Sequence, residues 1–227
     1  SSVAAELRGH VTRWLARHGM RAPAPSAATW DTEYASGRWA YLGQLSELSR
    51  FSVMAGYLRR LKPGGKILDV GCGEGVLTHE WAERLGDGRI VGIDLHDPKL
   101  HAEWATRQRP NLEYRAEEAT NLSFADDEFD MACAIEVLEH VPEPEQTLSE
   151  MARVARRWML VSVPREPMWR MLNMARGAYL RDLGNTPGHV NHWSKVGFCS
   201  LLQNYGKVHE VRKPFPWTMV LVDVSSS

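Results

Sequence analysis

Glu136, Glu139 and His140 are the residues of this 227-residue chain most plainly equipped for chemistry. They follow the apolar run Phe129-Asp-Met-Ala-Cys-Ala-Ile in the stretch Glu136-Val-Leu-Glu139-His140. On a helix, positions i, i+3 and i+4 share one face. Two carboxylates and an imidazole on one face make a half-site for a divalent cation. A mixed oxygen and nitrogen donor set suits Mg²⁺, Mn²⁺ or Zn²⁺. The same groups can work without a metal. His140 is then the candidate general base, and Glu136 the second candidate catalytic group. Helix capping or substrate positioning is the plainer alternative for all three.

A second constellation lies upstream. Ile67, Leu68 and Val70 form a short apolar run, as a buried parallel strand should. Gly71, Gly73 and Gly75 follow, and a helical pattern begins with Val76, Leu77, Trp81, Ala82 and Leu85. Strand, glycine loop and helix N-terminus together make the nucleotide-binding unit of doubly wound α/β folds. A dinucleotide loop requires G-x-G-x-x-G, but here the third position of that pattern is Val76 and the spacing is G-x-G-x-G. Asp69, at the strand end, also suits a cationic ligand better than a pyrophosphate. A further apolar strand, Arg89-Ile-Val-Gly-Ile-Asp94, ends in an acid that can accept both hydroxyls of a ribose.

This run resembles motif I of the class I S-adenosylmethionine (SAM)-dependent methyltransferases, and further segments match in the family's order. Tyr114-Arg-Ala-Glu-Glu118-Ala119-Thr-Asn-Leu-Ser-Phe124 resembles the segment that lies against adenine, with Glu118 where the family usually has Asp. Residues 129–141 resemble motif IV. The resemblance implies a Rossmann-like α/β fold with a seven-stranded sheet, mostly parallel with an antiparallel last strand, and helices on both faces. It implies SAM as cofactor, held by Asp69, Gly71, Cys72, Gly73, Gly75, Asp94, Leu95, Glu118, Ala119 and Ile135. By rough analogy with the quinone O-methyltransferases, Arg50 would meet the SAM carboxylate.

The E-x-x-E-H run is similar to that of two metal-dependent groups in this family, the O-methyltransferases of ubiquinone biosynthesis and the small-RNA 2′-O-methyltransferases. In the latter a further His precedes a Trp by four residues. His189 stands in that relation to Trp193. The resemblance therefore implies a metal set of Glu136, Glu139, His140 and His189. Many relatives without metal dependence carry a similar run. His192 reads as a polar loop residue.

Around these motifs, strands are expected near 66–70, 89–94, 111–116, 129–134 and 157–163. Helices are expected near 75–85, 98–107 and 144–156, a rhythm that predicts a parallel sheet. After Pro164 comes a helical stripe carrying Met168, Met171 and Leu172, then a loop from Leu183 to His192. Ser194 can cap a helix near 195–205. Strands at about 207–213 and 217–224, joined through Lys213-Pro-Phe-Pro-Trp217, make a hairpin. Residues 1–62 read as an N-terminal helical lid and 63–227 as the SAM-binding core, with a substrate-side insert at about 165–192. Residues 1–45 and that insert are expected to wall the acceptor pocket.

Composition narrows the partners. The net charge of −1 argues against a nucleic-acid or membrane partner. Three unpaired cysteines fit neither a disulfide framework nor a Cys-based zinc site and suit a reducing cytoplasm. No run approaches a membrane span. Arginines at 153, 156, 157, 165, 170, 176 and 181 read either as an anion-recognition surface or as a solvated face. The leading expectation is a cytoplasmic enzyme that methylates a small-molecule acceptor at oxygen, with a carbon or nitrogen acceptor left open. An RNA methyltransferase and a non-catalytic SAM-binding module are the alternatives.

Overall fold

Apolar runs of five to ten residues become seven strands, and together they form one sheet. The computed structural model describes residues 64–175, 185–186, 188–214 and 216–225, with 56, 57, 61, 182 and 183. The expected N-terminal helices, nearly all of the lid, Arg50, Arg176 and Arg181 lie outside the described residues. The strands are β1 Lys66–Val70, β2 Arg89–Asp94, β3 Leu112–Ala116, β4 Phe129–Ile135, β5 Ala155–Pro164, β6 Lys207–Arg212 and β7 Trp217–Asp223. Their order is β3-β2-β1-β4-β5-β7-β6. The first five pair in parallel; β7 runs antiparallel between β5 and β6. This is the expected seven-stranded sheet, with the C-terminal hairpin in place.

Five helices are described: α1 Val76–Leu85, α2 Pro98–Thr106, α3 Pro144–Val154, α4 Met168–Ala175 and α5 Lys195–Leu202. Alternation along the strands assigns their faces. Ile67, Ile90, Met131 and Leu160 pack on one side with Trp81 and Ala82 of α1. Leu68, Val70, Ala132 and Val161 pack on the other with Leu148 and Met151 of α3 and Phe198 and Leu202 of α5. Ser194 caps α5 by accepting from the Gly197 amide at 3.1 Å.

Strand order reverses between β1 and β4. In open α/β sheets a ligand binds outside the strand ends at such a switch point. The loops that follow β1 and β4 therefore meet there. A Cβ on Gly71 would lie 2.4 Å from the Val137 side chain, so these two loops touch.

The expected helix across Glu136–His140 is not formed. Glu136 has φ 60°, its amide donates to the Ser162 carbonyl of β5, and the chain makes only a turn at Leu138–His140. The helix starts later, at Pro144, whose missing N–H costs nothing in the first turn. Pro142 and Pro144 also push the residues before them out of helical geometry.

Candidate active site

The glycine loop is built by backbone bonds to β2. Gly71 and Cys72 amides both donate to the Ile93 carbonyl, at 2.8 and 2.9 Å. Gly73 donates to Asp94 Oδ2 at 2.7 Å, and Leu95 donates to Asp94 Oδ1 at 2.8 Å. Each Asp94 oxygen keeps a second lone pair, so the carboxylate shapes the loop and can still accept from a ligand. Two aromatic residues that sequence reasoning did not single out pin the loop from the other side. Trp104 Nε1 donates to the Gly73 carbonyl at 2.8 Å, and the Tyr114 hydroxyl donates to the Gly75 carbonyl at 2.9 Å. Their rings stack with centroids 5.3 Å apart.

The three glycines have different jobs. All have positive φ, at 70°, 54° and 78°. A Cβ would strike Val137 at Gly71 and the Tyr114 hydroxyl, at 2.5 Å, at Gly75; at Gly73 it would meet nothing within 4 Å. Only Gly73 thus opens onto free space beside Asp94, where a ligand can approach the backbone. Gly75→Ala should cost about 2–4 kcal/mol of stability, combining left-handed strain with overpacking. Gly73→Ala should cost about 1–2 kcal/mol, from strain alone. Denaturant melts of the two variants check the ordering; equal losses would contradict it.

Asp69 faces α1 and is 2% exposed; its carboxylate accepts from the Thr78 hydroxyl at 2.7 Å. It lies beneath the glycine loop rather than in an open pocket. Burial pushes its pKa up to about 7, opposed by the Thr78 bond and reinforced by the nearby Asp94 charge. The folded chain therefore holds this proton more tightly than the unfolded chain does. From this group alone, stability is greatest below the unfolded carboxylate range, falls as pH rises toward about 7, and stays reduced above it. Asp69→Asn should raise the thermal midpoint at pH 8, by up to about 4 kcal/mol of stability, and leave it nearly unchanged at about pH 4. An equal gain at both pH values would assign the effect to packing instead of charge.

Glu118 is exposed, Ala119 half-buried and Leu95 61% exposed, all just past the carboxyl ends of β3 and β2. Ile135 ends β4 beside the glycine loop's own strand.

The acidic segment meets a loop about 50 residues downstream. Val190 and Asn191 amides donate to the Glu139 carbonyl at 2.8 and 3.2 Å, and the Asn191 side chain donates to the carbonyls of Leu138 and Val141. Trp169 and Asn173 of α4 hold the other end through the Thr186 hydroxyl. These bonds carry His189 to Glu139 and His140. One donor atom from each of the three lies within 4.8 Å of the others. Glu136 is not in this group, so the four-residue set implied by the sequence resemblance is reduced to three.

The protonation states suit a ligand set. Burial pushes the His189 pKa down to about 4, with His140 and His192 adding to the effect, so the ring is neutral at pH 7. His140 Nδ1 lies 3.0 Å from the Gly188 carbonyl and must donate to it, so Nε2 is the ring atom left to meet a ligand. Glu139 is 2% exposed. Three protein donors, fewer than the four of a closed structural site, are a number a catalytic metal site would use.

The arginine surface resolves mostly into internal pairing. Arg153 bonds Glu150 and Asp126, Arg156 bonds Asp130, and Arg157 lies 3.7 Å from Asp223. Arg165 donates to the Trp217 carbonyl. These side chains serve the fold. Among the described residues no helix is long and apolar enough to cross a membrane.

Comparison with known proteins agrees with this geometry. Residues 68–158 match a family model described as a methyltransferase domain. The ubiquinone biosynthesis O-methyltransferase of Hahella chejuensis is 36% identical over 101 residues, 43% of this chain and 42% of that protein. The enzyme of the same name from Albidiferax ferrireducens is 31% identical over 187 residues, 78% of this chain and 69% of that protein. The chain spans about half the length of several curated relatives it matches. Magnesium protoporphyrin IX methyltransferase from Synechocystis, solved with bound SAH, shares the fold with a TM-score of 0.58 at 15% identity, covering 88% of this chain and 90% of that one. The chain belongs to the class I SAM-dependent methyltransferases.

Proposed function

We propose that the protein transfers the methyl group of SAM to a hydroxyl of a small molecule. The observation that carries this reading is the Glu139–His140–His189 cluster, formed on the turn that packs against the glycine loop at the switch point of the sheet. The O-methyltransferase names of the two relatives above point the same way.

Asp94 would hold the ribose, the backbone at Gly73 would lie along the methionine portion, and Asp69 would bias the space above the loop toward a cation. SAM supplies a methyl on a positively charged sulfur. An alcohol is a poor nucleophile until its proton is removed or its pKa lowered. Glu139, His140 and His189 would do this while holding a divalent cation, which lowers the pKa of a bound hydroxyl. Neutral His189 and the Nε2 of His140 supply nitrogen donors, and Glu139 supplies charge. The proton would leave to solvent, since both ring nitrogens of His140 are then engaged. Glu136, at the exit of β4, would serve as a positioning group. Residues 1–45 and the insert at 165–192 would wall the acceptor side; exchange protection of both on adding SAH checks that.

The test is transfer of labelled methyl from SAM into a fractionated extract, run with and without chelator. Label in a small molecule that disappears on chelation supports the reading. Turnover indifferent to chelator, falling with one His-like pKa as pH drops, would replace the metal by His140 acting as base. Label in RNA would overturn the small-molecule acceptor.

A further inference from the structure

Beside the cluster lies a carboxylate that the proposed chemistry does not use. Glu166 follows β5, two residues past Pro164. Both of its side-chain oxygens are sealed from solvent, and neither accepts a hydrogen bond from any described residue. The side chain is 10% exposed. Among the described residues its ionisable neighbour in reach is His192, whose Nδ1 stands 3.5 Å from Oε1. Glu166 and His192 line the same cleft as Glu139 and His189, with Val163 and Trp193 as its apolar walls; the cleft is closed too tightly to hold a water, so a ligand enters only as these side chains part. Glu166 is outside the set of donors that lie within 4.8 Å of one another, so it stands next to the ligand cluster and is not part of it.

A carboxylate kept dry without a donor is costly, and native folds keep few such groups. Buried acceptors of this kind serve discrimination: a ligand that brings the missing donor is favoured, and one that lacks it leaves the group unpaired. We propose that Glu166, steadied by His192, is a recognition site for a second polar hydrogen on the acceptor, an O–H or N–H a short distance from the hydroxyl being methylated. This rests on the reading of the cluster as the place of methyl transfer. Val163 and Trp193 would cover an apolar or planar body between the two polar ends. The preferred acceptor is then a compact molecule with a reacting hydroxyl and a separate hydroxyl or amine. Molecules with one hydroxyl only would bind weakly.

The test titrates three probes into the full chain saturated with SAH, read by ligand NMR: 3-methylphenol, 3-hydroxybenzyl alcohol and 3-hydroxybenzylamine. The wild type should bind the two donor-bearing probes roughly tenfold more tightly than 3-methylphenol. In Glu166→Leu the three should come within about twofold of one another. SAH affinity should not change. The variant should melt no lower than the wild type, because it removes buried polar oxygens that no hydrogen bond satisfies, and a structural acid would behave in the opposite way. Wild type that does not favour the donor-bearing probes, a Leu variant that keeps the preference, or one that loses SAH binding or melts lower would each overturn the proposal. Glu166→Gln, nearly isosteric, should retain part of the preference for the alcohol and lose more of that for the amine. Failure of the methyltransferase reading would look different, as wild type that does not bind SAH at all.

Discussion

Glu139→Gln and His140→Ala are each expected to lower methyl transfer by about 10³-fold, while SAH affinity stays within about twofold of wild type. On the proposed reading the two residues act on the acceptor and not on the cofactor. Their loss should therefore appear in turnover and not in cofactor binding. Gln keeps the shape of a side chain that is 2% exposed, so the change tests charge and ligation instead of packing. His189→Asn should behave alike, since its neutral ring belongs to the same group of donors. Chelation should reproduce all three losses in the wild type. Single-turnover transfer and calorimetry with SAH check the two halves. Full activity in His140→Ala would leave catalysis to alignment of the reactants alone.

Asp94→Ala should weaken SAM and SAH binding by about 1.5–3 kcal/mol, roughly 10- to 150-fold. Two losses combine. A carboxylate that can accept both ribose hydroxyls is removed, and the amides of Gly73 and Leu95 lose their acceptor, so the loop relaxes. Asp94→Asn should fall between, because one amide–carbonyl bond survives. Calorimetry that finds Asp94→Ala unchanged would sink the assignment, as would NADH binding in place of SAM.

Most of the sheet was legible because each strand is a short apolar run closed by Gly, Pro or a polar cluster, and each helix between has a stripe of its own. The first two strands end where the sequence places Asp69–Val70 and Asp94. The failure at Glu136–His140 has a specific cause. The i, i+3, i+4 spacing fits a helix, but Pro142 and Pro144 delay the helix, the backbone at Glu136 is left-handed, and Glu136 falls outside the cluster. The prolines were in view; each restricts the residue before it, Val141 and Glu143, and offers no N–H to the carbonyl four residues back.

The site was less legible than the fold. Only the His189–Trp193 spacing, read through the family resemblance, joined His189 to Glu139 across 50 positions. The pairing rests on main-chain bonds from Val190 and Asn191, which leave little mark on residue type. Trp104 and Tyr114 carry no sequence signal of a loop-holding role, and only their hydrogen bonds to loop carbonyls show it. Asp69 occupies the expected position, but burial under Thr78 changes what it does. Glu166 belongs to no motif and is visible only once β5 and the 188–193 loop are folded together.

The central claim is that the cofactor and the Glu139–His140–His189 cluster share one pocket at the β1–β4 switch point. A crystal structure of the full chain with bound SAH tests it most directly. The account predicts both ribose hydroxyls on Asp94, the cofactor backbone against Gly73, and the sulfur facing the cluster across a gap that a methyl and an acceptor oxygen would fill at about 3–3.5 Å contact. SAH bound elsewhere, or bound at Asp94 with its sulfur turned away from the cluster, would contradict it.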